Sequence, residues 1–156
     1  MPIAEGRLHI TASQADLFDL AQDYDLRLEW DPFLRQIRLP DGGAPNGVGT
    51  RVWVRAKNGL SMEVIYVAFD RPRTVAMKMT EGPRVFKRFA GTWRFERRTE
   101  RLTEVTFRYS FETTWSFLRP MLNPVIRSVL TRDIRHRLEG LKRGAEKGGL
   151  ASGSGP

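Results

Sequence analysis

Between Ser116 and Lys147, apolar residues arrive in pairs four apart: Phe117/Leu118, Met121/Leu122, Val125/Ile126 and Val129/Leu130. The stripe then narrows to Ile134, Leu138, Leu141 and Ala145. Spacings of three and four mark one face of a long helix, and the pairs make its first half wider than an ordinary surface stripe. The remaining faces are basic, with Arg119, Arg127, Arg132, Arg135, Arg137, Lys142, Arg143 and Lys147. Pro120 and Pro124 restrict the first turns. Such a helix needs a broad apolar partner, and the sequence upstream is strand material able to supply one.

Leu8 and Ile10 alternate with Arg7, His9 and Thr11 in a strand over Glu5 to Thr11. Thr11 or Ser13 then caps a helix with Asp16 in its first turn and Leu17, Phe18 and Leu20 along it, weakening near Asp23 to Asp25. A second helical piece, Leu26 to Leu34, contains Trp30-Asp31-Pro32-Phe33, where Pro32 imposes a break at Asp31. Gln36 to Leu39 is a short strand, and 40–47 is turn material. From Gly49 the chain reads as consecutive strands, with Asn58-Gly59 as a tight hairpin turn. Val52, Val54 and Ala56 share one face, as do Val75, Met77 and Met79 in the next alternating segment. Phe89, Gly91, Trp93 and Phe95 follow, then Val105, Phe107, Tyr109 and Phe111. Short turns between strands favour an antiparallel sheet with one packed face and one solvated face. Arg51, Arg55, Lys78, Arg88, Arg94 and Arg108 stud the solvated side. Strand Leu60 to Phe69 has two phases: one turns Met62, Val64 and Tyr66 inward, the other Glu63, Ile65 and Val67.

The chain of 156 residues is expected to form one domain over 1–147, followed by a flexible Gly/Ser tail over 148–156. There is no cysteine, which excludes disulfides and thiolate chemistry. The opening MPIAEGRLHI has no signal-peptide pattern, and no run reaches the ~18 apolar residues of a spanning helix, so the cytoplasm is the expected compartment. His9 and His136 both fall off the apolar faces, which argues against a histidine-based triad or a zinc site. No phosphate-binding glycine loop is present, and no metal or cofactor is implied. Among acid/base groups, Glu63, Asp31 and Tyr109 are the weak catalytic candidates: Glu63 if its strand turns it into an apolar cavity, Tyr109 as a buried phenol needing a partner.

The order and spacing of several short motifs carry a family resemblance over residues 4–147. They are Leu8-His9-Ile10-Thr11-Ala12-Ser13, Trp30-Asp31-Pro32-Phe33, Val48-Gly49-Thr50-Arg51-Val52, Phe69-Asp70-Arg71-Pro72-Arg73-Thr74-Val75, Gly91-Thr92-Trp93-Arg94-Phe95-Glu96 and Thr103-Glu104-Val105-Thr106-Phe107, with the long last helix. Together they resemble the START-like, helix-grip (SRPBCC) superfamily, in its polyketide cyclase/dehydrase and lipid-transport branch. The resemblance implies an α+β fold in which a curved seven-stranded antiparallel sheet grips the C-terminal helix around an apolar cavity, with two short helices after strand 1. By that likeness Trp30, Phe33, Trp93, Tyr109, Met77 and Met79 line the cavity, joined by Val54, Tyr66, Phe89 and Phe107, under a lid of Met121, Val125 and Val129. Aromatase/cyclases of this type carry inward arginines and a tyrosine, whereas the comparable places here hold apolar residues such as Val67 and Met79.

The favoured function is therefore a carrier or sensor for a small hydrophobic molecule: a lipid, polyketide, quinone or aromatic. A cyclase/dehydratase-type enzyme working through cavity acid/base groups is the alternative. A net charge of +8 supports a second alternative, a basic face that makes weak contact with an anionic membrane surface or RNA. Nucleic acid ranks low, because the arginines lack interleaved exposed aromatics apart from Trp53. Monomer and homodimer both remain open.

Overall fold

The computed structural model describes residues 1–40 and 47–147. The turn expected at 40–47 and the tail at 148–156 thus fall almost wholly outside the described residues. The elements run β1 (Ile3–Ile10), α1 (Gln14–Gln22), α2 (Tyr24–Trp30), β2 (Leu34–Arg38), β3 (Arg51–Ala56), β4 (Ser61–Asp70), β5 (Thr74–Glu81), β6 (Phe86–Thr99), β7 (Leu102–Thr113) and, after a single 3-10 turn, α3 (Arg119–Lys147). The seven strands form one antiparallel sheet in the order β1-β7-β6-β5-β4-β3-β2. Every neighbour after the β1–β7 pair is a sequence neighbour, so short hairpins build most of the sheet. This is the helix-grip architecture expected from the sequence. Among the described residues no helix is long and apolar enough to cross a membrane.

Local chemistry sets the boundaries. Ser13 caps α1 by accepting a hydrogen bond from the Asp16 amide at 3.2 Å. Asp23 closes α1 and caps α2, accepting from the Asp25 amide at 3.0 Å. The second helical piece is shorter than the apolar pattern implies: it ends at Trp30, and Leu34 opens β2 instead. Asp31 accepts a bond from the Phe33 amide at 3.0 Å across Pro32, which turns the chain out of the helix. Gly59 takes the positive φ (92°) that the β3–β4 hairpin turn requires.

The two phases of β4 are both present. Before Tyr66, Met62 and Val64 look toward α3; after it, Phe69 is the inward residue and packs edge-on to Phe18 of α1 at 5.6 Å. The β4–β5 register shifts between Tyr66 and Ala68, which leaves Val67 as the extra residue of a bulge. Val67 is accordingly 45% exposed and does not face the interior, contrary to the inward place expected for it.

The concave face divides into two zones. Under α1, Leu17, Phe18, Phe95, Ile10 and Val105 form a closed core. The rear half of α3 seals one flank of it through Ile134, Leu138, Leu141 and Ala145, all essentially inaccessible. A Cβ at Gly140 would overlap the Trp30 carbonyl oxygen, so only glycine lets α3 sit this close to α2. Beyond Trp93 the front half of α3 stands away from β3–β5, and a cavity opens.

Candidate functional site

The cavity holds about 320 Å³ and is walled mainly by apolar side chains of β3–β7, with Phe33, Leu34 and the front of α3. Leu60 (55% exposed), Val125 (59%) and Val129 line it and reach solvent, so they mark the mouth between the β3–β4 hairpin and α3. Arg27, Phe107, Tyr109 and Arg137 also line it but are buried, so they mark its closed end.

At that end lies a buried polar cluster drawn from three elements. Asp31 Oδ2 accepts from Arg27 Nε at 2.9 Å, Arg137 Nη2 at 2.9 Å and Arg137 Nε at 3.1 Å. Arg27 Nη1 donates to the Ala21 carbonyl at 2.8 Å, and Arg137 Nη1 donates to the Tyr109 hydroxyl. Aromatic faces support both cations. The Arg27 guanidinium lies 4.8 Å from the Trp30 ring centre and 5.5 Å from that of Trp93, while Arg137 lies 5.0 Å from both Phe33 and Phe107. Beside this cluster, the Tyr24 and Tyr66 hydroxyls share a hydrogen bond, and Tyr66 donates to Gln22 Oε1 at 3.0 Å.

Burial alone would raise the Asp31 carboxyl, but Arg137 and Arg27 override it and hold that group below the usual carboxylate range. Burial works against the Arg137 charge, yet Asp31 and Tyr109 leave it more firmly protonated than an ordinary arginine. Burial also pushes the Tyr109 phenol up, and it stays neutral in the physiological range. Asp133, half-buried on α3 and lining the cavity, is raised by burial against the pull of Arg132, Arg137 and His136.

The residues expected in the cavity separate into three sets. Phe33, Val54, Met77, Met79, Phe89, Phe107, Tyr109, Val125 and Val129 line it. Trp30, Tyr66 and Trp93 do not; they are buried behind it, the tryptophans as a platform for Arg27 and Tyr66 as the partner of Tyr24. Met121 is on the outer side of α3, 69% exposed, and is no lid. The reason lies in the helical angle: within each pair the second residue turns inward (Leu122, Ile126, Leu130) and the first turns out. Of the catalytic candidates, Tyr109 lies at the closed end and Asp31 is locked behind it. Glu63 is elsewhere: it accepts from Thr80 Oγ1 at 2.7 Å and lies 3.7 Å from Arg51 on the outer face.

Inward arginines, expected to be missing, are present. They come from the helices rather than from the strands where the sequence pattern would put them. Arg137 stands three residues after Ile134 and four before Leu141, within the buried stripe, and Arg27 is four residues before Asp31. That phase was the available signal. The outer-face charge is partly neutralised, since Arg108 pairs with Glu5 at 2.7 Å and Arg88 lies 3.8 Å from Glu112.

The sequence profile of the polyketide cyclase/dehydrase and lipid-transport family matches residues 1–146. The chain belongs to that family. No functionally curated protein matches it. Solved structures share the family fold at low identity. The Zhui aromatase/cyclase of a Streptomyces species superposes with a TM-score of 0.82 at 14% identity, covering 98% of both chains. A START superfamily protein from Mycobacterium smegmatis gives 0.77 at 10% identity, covering 94% of this chain and 99% of its own. The ginseng major latex-like protein 151 from Panax ginseng gives 0.65 at 18%, covering 87% and 97%.

Proposed function

We propose that residues 1–147 act as a single ligand-binding domain that holds a small hydrophobic molecule between sheet and α3, as a carrier or sensor. One observation carries this reading: a cavity of about 320 Å³ whose wall is mainly apolar and whose buried charged groups lie at the closed end. Phe33, Val54, Met77, Met79, Phe89, Phe107, Val125 and Val129 contact the apolar body of the ligand, and Tyr109 meets its polar end. Proton-transfer chemistry is less well supported, because Asp31 is spent on two guanidiniums and Glu63 lies outside the cavity. Native mass spectrometry of the purified protein, with a screen of lipids, quinones and aromatic polyketides followed by tryptophan fluorescence, tests the reading. Copurifying or added ligand in one-to-one ratio is expected; an empty protein that binds nothing in the screen overturns it.

The exposed side of α3 and of the turn before it favours a second contact, with an anionic membrane surface. Phe117 (79% exposed), Met121, Val125 and Val129 form an unpartnered apolar stripe beside the mouth, flanked by Arg127 and Arg132. An apolar ridge with cationic margins matches an anionic bilayer, while a second copy would bring like charge against like. Vesicles containing phosphatidylglycerol should sediment the protein, phosphatidylcholine vesicles should not, and salt should release it.

A further inference from the structure

The charges at the closed end do not cancel. Arg27 and Arg137 are both buried, and among the described residues the only carboxylate bonded to them is Asp31. The phenols Tyr24 and Tyr109 are neutral, and the other charged group in the wall is Asp133. Asp133 is half-buried, has no hydrogen bond to either guanidinium among the described residues, and shares its charge among Arg132, Arg137 and His136. A surplus positive charge in an apolar enclosure costs several kcal/mol unless something answers it.

Two side chains in the cavity wall at this end also hold a donor group that lacks a protein acceptor among the described residues. Arg27 spends Nε on Asp31 and Nη1 on the Ala21 carbonyl, which leaves Nη2 unpaired. The Tyr109 oxygen accepts from Arg137, which leaves its own proton to donate. Both side chains line the cavity.

Resting on the cavity reading above, we propose that the ligand is an anion: an apolar carboxylic acid, aliphatic or aromatic, whose carboxylate accepts from Arg27 Nη2 and the Tyr109 hydroxyl. The carboxylate completes a two-cation, two-anion cluster, and the apolar body fills the space toward Met77, Met79 and Phe89. A neutral alcohol or amide of the same shape supplies an acceptor but leaves the surplus charge standing.

Calorimetric titration at about pH 7 compares decanoate with decan-1-ol and 2-naphthoate with 2-naphthamide, the two acids separating the aliphatic from the aromatic source. At least one acid should bind about tenfold or more tightly than its neutral partner, as expected for charge-assisted hydrogen bonds in a dry site. Asp133→Asn, a substitution at a half-exposed position that should fold normally, removes the remaining negative charge from the wall. It should tighten the acid severalfold, and by more than it changes the neutral partner. Tyr109→Phe should weaken the acid. If the neutral partners bind as tightly as the acids, or Asp133→Asn leaves the acids unmoved, the anion assignment is overturned while the cavity reading stands. If neither member of either pair binds and the wider screen is also empty, both readings fall.

Discussion

The two halves of α3 share one helix and one apolar stripe, yet they do different work. The rear half is dry: Ile134, Leu138 and Leu141 are sealed, Gly140 admits the Trp30 backbone, and Arg137 is bonded to Asp31. The front half faces the cavity with Ile126 and Leu130 and leaves Met121 and Val125 in solvent, where Phe117 of the turn before it also lies. The difference shows that a wide apolar face need not mean a thicker core. Here the extra width serves two sides, one lining a cavity and one left for an outside surface.

That contrast can be broken by substitution. The largest expected effect is Asp31→Asn, which leaves two buried guanidiniums without their shared carboxylate and should cost about 3–5 kcal/mol in urea unfolding. Its sign with pH follows from the depressed Asp31 ionisation. The contribution is full above the ordinary carboxylate value near pH ~4 and is lost only as pH falls through the lower, folded-state value, so the two proteins should converge in acid. Next is Leu138→Ala, which should cost about 2–4 kcal/mol while changing ligand affinity little. Ile126→Trp should invert that result: stability should shift by only about 1 kcal/mol, because the added ring enters open space, but ligand binding should fall steeply. The smallest effect on folding belongs to Phe117→Ser with Met121→Ser, within about 0.5 kcal/mol each, with a clear loss of anionic-vesicle sedimentation. If Ile126→Trp and Leu138→Ala both simply unfold the protein, the two halves are one core.

Sequence patterning was enough for the succession of strands along the chain, the β3–β4 hairpin turn and the long helix, because alternation and three–four spacing are local signals. The apolar cavity wall was equally legible in Met77, Met79, Phe89 and Phe107, which follow the alternation of their strands. The polar end was not. Arg27 and Arg137 look like surface residues until the α2–α3 contact brings Asp31 between them, and that contact joins positions 106 residues apart. The family likeness put Trp30, Trp93 and Met121 in the cavity, and their periodicity could not correct it: a period tells which face a side chain takes, not whether cavity, core or solvent lies beyond it.

The bulge at Val67 has a consequence for how such a chain can change. One extra residue divides β4 into a stretch facing the cavity and a stretch facing the packed layer under α1. Taking Val67 into regular register, with no bulge, would carry Phe69 to the outer face and unseat its contact with Phe18. Keeping the bulge lets Met62 and Val64 face the cavity while Phe69 stays against Phe18. A single inserted residue thus gives one strand two separate tasks.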